Sequence, residues 1–426
     1  MNQVIQSARL GGTVTAIPSK SQAHRLLICA ALAKEPSYVR CSGTSADILA
    51  TARCLRGLGA DVQEVAGGFY VIPVEKGKTT QCLQPGESGS TLRFLLPVAG
   101  ALGYVGQFKM EGRLPKRPLD PLDAQLMEHG MQISRPGEDL LAVSGNLSGG
   151  MYTLPGDVSS QYISGLLFAL PLLAEDSTLT ITGKWESMDY ITMTVRALAQ
   201  YGVVVHQTTS GFVIPGGQQY CPPAEAVVEG DWSNAAFWLC AGALSETGMT
   251  VMGLDMQSPQ GDKEIVDILK RFGAKVTIQD TAVTVGPGKL QGILLDASGV
   301  PDLVPVVSMV AAAAEGETRI VGAARLRIKE SDRLEAVSAL LQGLGGQVQQ
   351  LPDGLVIQGG NPLHGGTVSA FGDHRIAMSA AVAAMIATGP VTVTGAQAVE
   401  KSYPAFWSDY TMLGGKTTRT EEEAAV

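Results

Sequence analysis

The sequence has few of the residues that usually build metal, disulfide or nucleotide sites. It contains six cysteines without a CxxC pair and five histidines without metal-ligand spacing. These shortages argue against a zinc site and a disulfide framework, and they predict reduced thiols. GxxxxGK[ST], HExxH and GxSxG are also absent, which argues against a P-loop NTPase, a zincin protease and a nucleophile-elbow hydrolase.

Long apolar runs and excess positive charge are missing as well. No apolar run reaches the roughly 18 residues that a membrane span needs, and the first residues do not resemble a signal peptide. The 31 basic residues are outnumbered by 40 acidic ones, giving a formal net charge of −9, which gives no support for a nucleic-acid partner. We therefore expect a cytoplasmic protein with neither a membrane nor a nucleic acid as partner.

A helix-end pattern, Leu-x-x-x-Gly followed by apolar residues, recurs along the whole chain. Its glycines, Gly59, Gly130, Gly202, Gly273 and Gly345, are 71, 72, 71 and 72 residues apart, and a degraded copy ends at Gly414. Each copy predicts a helix with a C-cap glycine and then a β-hairpin. The residues that we expect as N-caps of these helices are Asp47, Asp189, Asp262 and Asp332.

A second helix, apolar on nearly every side, is predicted once in each copy. The six segments are 21–33, 90–102, 160–174, 233–244, 302–314 and 373–387. A helix that is apolar all round belongs in a protein interior. Because solenoid repeats are usually shorter, we predict an α/β fold of two globular domains with three units each, divided near Gly230.

Polar residues gather at the starts of these apolar helices. Ser and Asp are ordinary caps there, but Lys20, Arg25, Arg93 and Arg375 place cations where the helix dipole disfavours them. Further cations lie in segments 113–118 and 325–333 and at Lys401. We favour a shared site for a small, multiply charged anion over a set of unrelated caps and solvated faces.

These residues occur in motifs that resemble those of the 5-enolpyruvylshikimate-3-phosphate synthase family. The motifs are Pro-Ser-Lys-Ser-Gln-Ala-His-Arg at 18–25, Gly-Glu-Ser-Gly-Ser-Thr-Leu-Arg at 86–93, Lys-Arg-Pro at 116–118, Ser-Ser-Gln at 159–161, Pro-Asp at 301–302, Lys-Glu-Ser-Asp-Arg at 329–333, Asp-His-Arg at 373–375, and Lys401. The resemblance spans the whole chain. It implies transfer of the enolpyruvyl group of phosphoenolpyruvate to the 5-hydroxyl of shikimate 3-phosphate, without a metal or organic cofactor.

The resemblance also implies an architecture. Residues 1–17 and 230–426 would form one discontinuous domain, and 18–229 would form an inserted domain. Each domain would hold three βαβαββ units whose buried helices direct their N-termini at an interdomain cleft. We further expect a monomer of the shikimate pathway, which supplies aromatic amino acids, and a target of glyphosate.

The family's functional residues map onto this sequence position by position. Shikimate 3-phosphate would be bound by Lys20, Ser21, Arg25, Ser159, Ser160, Gln161, Ser187, Tyr190, Asp302 and Lys329. Phosphoenolpyruvate would be bound by Lys20, Gly89, Arg117, Gln161, Arg333, Arg375 and Lys401. Asp302 would take the hydroxyl proton and Glu330 would protonate the methylene carbon, with Lys20 and Lys329 also in catalytic positions.

The sequence departs from the family pattern in two places. Glu87 and Ser90 replace the Asn and Thr that are common in the glycine-rich loop, and Ser19 directly follows Pro18 without the usual glycine. We expect Glu87 to point away from the anion.

Two alternative functions stay open. One is a transferase acting on UDP-N-acetylglucosamine, but that family characteristically has a loop cysteine near the phosphoenolpyruvate site and lacks the Lys-Glu-Ser-Asp-Arg motif. The other is a non-catalytic anion-binding repeat protein, which would not need two carboxylates beside its ligands.

Overall fold

The computed structural model describes residues 1–75 and 82–420. It divides the chain into two compact units. The discontinuous unit comprises Met1–Ile17 and Glu229–Val426, and the inserted unit comprises Pro18–Val228. Each unit has its own apolar core.

The secondary structure alternates strands and helices throughout the described residues. The strands are β1 (Asn2–Gln6), β2 (Gly12–Thr15), β3 (Ser37–Arg40), β4 (Asp61–Val65), β5 (Gly68–Ile72), β6 (Leu83–Gly86), β7 (Gly106–Met110), β8 (Gln132–Gly137), β9 (Leu140–Ser144), β10 (Gly150–Pro155), β11 (Ser177–Thr182), β12 (His206–Gln207), β13 (Gly211–Ile214), β14 (Ala226–Val227), β15 (Met249–Met252), β16 (Lys275–Gln279), β17 (Ala282–Gly286), β18 (Leu294–Asp296), β19 (Gly316–Val321), β20 (Gln347–Leu351), β21 (Gly354–Gly359), β22 (Gly366–Ser369), β23 (Val391–Thr394) and β24 (Lys416–Thr420). The α-helices are α1 (Lys20–Ala31), α2 (Ala46–Gly57), α3 (Gly89–Ala101), α4 (Leu122–Glu128), α5 (Ser160–Ala169), α6 (Met188–Gln200), α7 (Trp232–Leu244), α8 (Ile265–Phe272), α9 (Val304–Ala313), α10 (Arg333–Gly343), α11 (His374–Ala383) and α12 (Phe406–Met412).

The strands form six four-stranded sheets of one recurring topology. The orders are β14-β3-β5-β4, β6-β7-β9-β8 and β10-β11-β13-β12 in the inserted unit, and β16-β17-β15-β2, β18-β19-β21-β20 and β22-β23-β1-β24 in the discontinuous unit. Each sheet combines one parallel pair with two antiparallel pairs. A parallel pair requires a crossover, and α3 supplies it between β6 and β7. The predicted α/β fold with repeated βαβαββ units is thereby confirmed.

The start of the chain is built into sheets formed mainly by later residues. In β1, Val4 pairs with Thr392 of β23 and with Thr418 of β24. In β2, Val14 pairs with Val251 of β15 in parallel. The first residues therefore complete two of the three sheets of the discontinuous unit.

The apolar helix of each repeat lies in a core, as its composition predicts. The α9 residues Val304–Ala313 are buried apart from the last one, and α9 packs against α7 and α11. In the inserted unit, α3 packs against α5. The predicted helix positions are confirmed to within two residues, with two ends to correct. The segment 160–174 ends as a helix at Ala169 and continues as a 3₁₀ turn over Leu170–Leu172, and the segment 373–387 ends as a helix at Ala383.

The predicted glycine C-caps agree with the structure. The six repeat glycines, Gly59, Gly130, Gly202, Gly273, Gly345 and Gly414, all have left-handed backbone with φ between +75° and +102°. A side chain at that φ would be strained, which explains why glycine recurs there.

Three of the four predicted N-caps are wrong. Asp332 does cap α10, accepting from the N–H groups of Leu334 and Glu335. In contrast, Asp47 and Asp189 lie in the first turns of α2 and α6, and Asp262 lies in a 3₁₀ turn before α8. An acidic side chain is favoured in the first turn by the helix dipole as well as at the cap, so the same pattern fits both positions.

No helix in residues 1–75 and 82–420 has both the length and the apolar character to cross a bilayer.

Candidate functional site

The predicted site residues fall into two groups, one in each unit. The inserted unit holds Lys20, Ser21, Arg25, Gly89, Arg117, Ser159, Ser160, Gln161, Ser187 and Tyr190. The discontinuous unit holds Asp302, Lys329, Glu330, Arg333, Arg375 and Lys401. Most of them lie at or just before the first turn of a helix.

Lys20 begins α1 and is held by a carboxylate on a neighbouring helix. Ser19 caps α1 by accepting from the N–H of Gln22. Lys20 Nζ lies 2.9 Å from Asp47 Oδ2, and their side chains are 16% and 9% exposed. Asp47, which we predicted to be a cap, is thus the ion-pair partner of Lys20.

Arg25 is 2% exposed and connects α1 with α6. Its Nε donates to Thr194 Oγ1 at 2.9 Å, Nη1 to the Ser21 carbonyl at 2.6 Å, and Nη2 to the Tyr190 carbonyl at 2.8 Å. These bonds use three of the five N–H groups that a guanidinium offers. The group also lies 5.0 Å above the Phe94 ring, and burial lowers the pKa of Arg25 to about 10.

Ser187 has an unusual backbone at the entrance to α6. Its φ and ψ are +52° and +42°, a left-handed conformation that is unfavourable by about 1–2 kcal/mol for a residue with a side chain. Ser187 is also 5% exposed. The Arg25 bond to the Tyr190 carbonyl, in the first turn of α6, helps to fix this segment.

The start of α5 is joined to the start of α3. Ser159 caps α5 by accepting from the N–H of Gln161, and Ser160 is the first helical residue. Gln161 Nε2 donates to Ser90 Oγ at 2.9 Å, while its Oε1 accepts from Arg93 Nη1 at 2.7 Å. The predicted site residue Gln161 therefore contacts the glycine-rich loop directly.

Arg93 connects this pair of helices to the segment that carries Arg117. Besides Gln161, Arg93 contacts the carbonyl of Pro118, to which its Nη2 donates at 3.0 Å, and it is 4% exposed. These bonds give Arg93 a structural role in joining the two segments. The contact of Arg93 with an anion stays a prediction.

Gly89, the first residue of α3, lies against the guanidinium of Arg117. A Cβ on Gly89 would be 2.6 Å from Arg117 Nη1 and 3.1 Å from Arg93 Nη1. Any larger residue would therefore have to displace Arg117. The Glu87 carboxylate lies close to the Gly112 backbone, where a Cβ on Gly112 would be placed.

In the discontinuous unit, Asp302 is surrounded by cations. Its carboxylate lies 2.6 Å from Arg333 Nη1, 3.5 Å from Lys329 Nζ and 3.5 Å from Arg375 Nη2. Burial acts to raise the pKa of Asp302, but Arg375, Lys329 and Arg333 together hold it well below its usual range. Burial lowers the pKa of Lys329, and Asp302 partly offsets that effect.

Arg333 is the centre of this cluster and is 1% exposed. It donates to Asp302, to Glu330 Oε2 at 2.9 Å, and to Asp373 through Nε at 2.7 Å and Nη2 at 3.3 Å. Burial opposes its charge, but Asp373, Glu330 and Asp302 raise the pKa of Arg333. Three carboxylates thus balance the three cations Lys329, Arg333 and Arg375.

Asp373 has a role that the sequence analysis missed. We placed it only as the start of an apolar helix, whereas it caps α11 through the Arg375 N–H and also holds Arg333. It accepts from Ser331 Oγ at 3.0 Å as well. The Asp-His-Arg motif was the available signal in the sequence. It does not distinguish an Asp that caps a helix from an Asp that pairs with a distant arginine.

Arg375 and the segment that follows Lys401 both contact α7. Arg375 Nη1 donates to the Asp302 carbonyl at 3.2 Å, and Nη2 donates to Ser233 Oγ. Lys401 ends a 3₁₀ helix, Ala396–Lys401, and the following Ser402 Oγ donates to Asn234 Oδ1 at 3.4 Å. The structure thus brings Asp302, Lys329, Glu330, Arg333 and Arg375 into one cluster, with Lys401 on a separate segment.

These arrangements are suited to anion binding and proton transfer. Capped helix N-termini offer N–H groups to anions, and an ionised carboxylate held in place can accept a proton from a hydroxyl. In the described part of the chain, no three His, Cys, Asp or Glu side chains are grouped in a way that could hold a metal ion.

Comparisons with known proteins agree over nearly the full length. Residues 4–410 match the family model described as EPSP synthase (3-phosphoshikimate 1-carboxyvinyltransferase). The enzymes of that name from Clostridium kluyveri and Clostridium acetobutylicum are 41% and 43% identical, covering 97% and 95% of this chain and 97% and 96% of their own lengths. A solved EPSP synthase from Acinetobacter baumannii superposes with a TM-score of 0.82 at 26% identity, covering 98% of this chain and 100% of that one.

Proposed function

We propose that this chain, which belongs to the EPSP synthase family, transfers the enolpyruvyl group of phosphoenolpyruvate to the 5-hydroxyl of shikimate 3-phosphate. The products are 5-enolpyruvylshikimate 3-phosphate and phosphate, formed by addition and elimination through a tetrahedral intermediate. The reaction belongs to the shikimate pathway of aromatic amino-acid biosynthesis. We further propose that the protein acts as a monomer in the cytoplasm.

The observation that best supports this chemistry is the position of Asp302 among three cations. A binding protein for two anions has no need of carboxylates beside them, because like charges repel. A transferase needs one group to accept the hydroxyl proton and another to protonate the methylene carbon. We assign the first role to Asp302 and the second to Glu330. Because Glu330 is a carboxylate in its ion pair with Arg333, it must first take up a proton from solvent before it can donate one to the methylene carbon.

The low pKa of Asp302 determines how this side chain could act as a proton acceptor. The carboxylate is ionised at every working pH, so it is always available to accept a hydrogen bond from the 5-hydroxyl. It is a weak base on its own, so we expect the proton to move as the C–O bond forms and the hydroxyl becomes more acidic. Lys329, 3.5 Å from Asp302, would stabilise the partial negative charge that develops on the oxygen of the 5-hydroxyl as its proton leaves.

For the binding of shikimate 3-phosphate we propose residues of the inserted unit. They are Lys20, Ser21, Arg25, Ser159, Ser160, Gln161, Ser187 and Tyr190, with Asp302 and Lys329 at the reacting hydroxyl. The capped starts of α1 and α5 supply hydroxyl and N–H groups. Charge-assisted bonds from Lys20 and Arg25 would supply much of the affinity.

For phosphoenolpyruvate we propose Lys20, Gly89, Arg117, Gln161, Arg333, Arg375 and Lys401. Gly89 leaves room for the Arg117 guanidinium beside the backbone, so that both can approach one phosphate. Arginine can bind carboxylate or phosphate through two parallel bonds. The cations would stabilise phosphate as it leaves.

Phosphate release with shikimate 3-phosphate and phosphoenolpyruvate tests the proposal. We expect turnover with this pair and none when UDP-N-acetylglucosamine replaces shikimate 3-phosphate. Turnover with the nucleotide sugar alone would favour the first alternative, and binding of both substrates without turnover would favour the second. The full-length relatives named as 3-phosphoshikimate 1-carboxyvinyltransferases do not favour either alternative.

A further inference from the structure

A continuous chain of hydrogen-bonding groups runs through the interior of the inserted unit, next to the glycine-rich loop. His24 Nδ1 lies 2.6 Å from Thr51 Oγ1, which lies 2.6 Å from Thr91 Oγ1, and Thr91 Oγ1 donates to Ser88 Oγ at 2.8 Å. All four side chains are at most 1% exposed. This hydroxyl chain, formed by His24, Thr51, Thr91 and Ser88, links α1 and α2 to the N-cap of α3.

The direction of each bond in the hydroxyl chain follows from the number of protons. Thr91 donates its single hydroxyl proton to Ser88, so its oxygen must accept from Thr51. Thr51 then has no proton left for His24, and its oxygen must accept from Nδ1. The proton of a neutral His24 therefore lies on Nδ1, and Nε2 is the bare nitrogen.

The surroundings of His24 agree with a neutral ring. Nε2 is buried and has no hydrogen-bond partner among the described residues, and the ring meets Phe94 edge-on at 6.4 Å. Burial lowers the pKa of His24 to about 3; nearby Asp47 acts to raise it, while Lys20 and Arg25 lower it further. A second proton on Nε2 would create a buried charge without a partner.

We propose that His24, as its neutral Nδ1–H tautomer, is a positioning residue that fixes the glycine-rich loop for phosphoenolpyruvate. Ser88 immediately precedes Gly89 and caps α3 through the Thr91 N–H at 3.3 Å. Gly89 in turn lies against Arg117, so a small rotation of Ser88 changes the space between the loop and this cation. The inference rests on the proposed function for its kinetic consequence, but the tautomer itself does not depend on it.

The tautomer can be measured directly in the full chain. In a protein with ¹⁵N-labelled histidine, the His24 signals are those that disappear in His24→Asn. We expect a protonated Nδ1 and an unprotonated Nε2, unchanged between about pH 8 and 5, since the pKa lies near 3. A proton on Nε2, or a titration within that range, overturns the proposal.

Kinetics test the positioning role with a conservative rescue. His24→Leu removes the donor, whereas His24→Asn can place an amide N–H near the former Nδ1. We expect the KM for phosphoenolpyruvate to rise about fivefold in His24→Leu and less than about twofold in His24→Asn. Fivefold corresponds to about 1 kcal/mol, the net value of one neutral hydrogen bond. The KM for shikimate 3-phosphate and kcat should stay within about twofold.

Thr51→Val breaks the same hydroxyl chain without changing side-chain shape, and it should reproduce the effect of His24→Leu even if that variant does not fold. His129→Gln is the matched control, because His129 stacks on Tyr152 away from the hydroxyl chain. An unchanged KM for phosphoenolpyruvate in Thr51→Val, or an equal rise in both KM values, overturns the positioning role. If the wild-type protein releases no phosphate from the two substrates, the proposed function fails while the tautomer measurement still decides the state of His24.

Discussion

Replacing Asp302 by Asn should separate catalysis from binding. The substitution keeps the size of the side chain and its capacity for hydrogen bonds, but it removes one negative charge. In the wild-type cluster, Asp302, Glu330 and Asp373 balance Lys329, Arg333 and Arg375. In the variant, three cations face two carboxylates.

Two magnitudes are expected for this change, one for catalysis and one for stability. Losing a positioned proton acceptor lowers kcat by roughly 10²–10⁴-fold. Removing one partner of a buried ion pair destabilises a protein by about 3–5 kcal/mol, and we expect the lower end because the Asp302 side chain is still 16% exposed. Excess positive charge should not weaken anion binding, so the dissociation constant of shikimate 3-phosphate should change little.

The pH dependence of stability provides an independent check. The pKa of Asp302 is lower in the folded state than in the unfolded state, where it is about 3.9. Its contribution is therefore complete above about pH 4 and is lost as the pH falls through the folded-state value. The stability difference between the wild type and Asp302→Asn should be constant near neutral pH and should shrink in strong acid.

The assays are phosphate release for kcat, calorimetric titration for shikimate 3-phosphate, and denaturant unfolding at several pH values. Glu317→Gln is a suitable control, because Glu317 forms an exposed pair with Arg319 that should contribute little. If Asp302→Asn keeps a near-normal kcat while binding is abolished, Asp302 is a structural residue and the assigned role is wrong.

Three further changes have defined expectations. Gly89→Ala should raise the KM for phosphoenolpyruvate and weaken inhibition by glyphosate still more, because its Cβ would displace Arg117; an unchanged inhibition constant would contradict the loop assignment. Arg25→Ala should raise the KM for shikimate 3-phosphate more than it lowers kcat, and it should reduce the melting temperature because three hydrogen bonds are lost. As the pH falls from about 6.5 towards 3, only the unfolded wild-type chain binds a proton at His24, so the wild type should lose about 1.4 kcal/mol of stability per pH unit at this residue. His24→Asn should lack this loss. Equal slopes of stability against pH for the two proteins, measured by urea unfolding, would contradict the buried neutral ring.

The repeat made the fold predictable from the sequence. Glycines at a spacing of 71 or 72 residues fixed the helix ends, because only a left-handed residue fits there, and all six have positive φ. Helices that are apolar on every side could be assigned to cores, because such a helix belongs in a protein interior. Helix starts were less predictable, since Asp47 and Asp189 are as favourable in a first turn as at a cap.

Side-chain partners across different helices could not be predicted from sequence. The pairing of Lys20 with Asp47 joins residues 27 positions apart, and that of Arg333 with Asp373 joins residues 40 positions apart. Their geometry depends on how α1 packs on α2 and how α10 packs on α11. The hydroxyl chain below the glycine-rich loop was missed for the same reason, because buried Thr and Ser residues have no sequence pattern of their own.

The structure also changes the argument for an anion site. Cations at helix N-termini suggested a ligand because they oppose the helix dipole, yet Lys20 has a carboxylate partner, Arg25 has two carbonyls, and Arg375 has Asp302. Such contacts would stabilise these positions without any ligand. A substrate anion must therefore compete with partners already in place, and binding would exchange ion pairs instead of neutralising bare charges. In the proposed site, exchange of this kind would give modest affinity, and it would leave the displaced carboxylates, Asp302 among them, close to the substrate where a proton acceptor is needed.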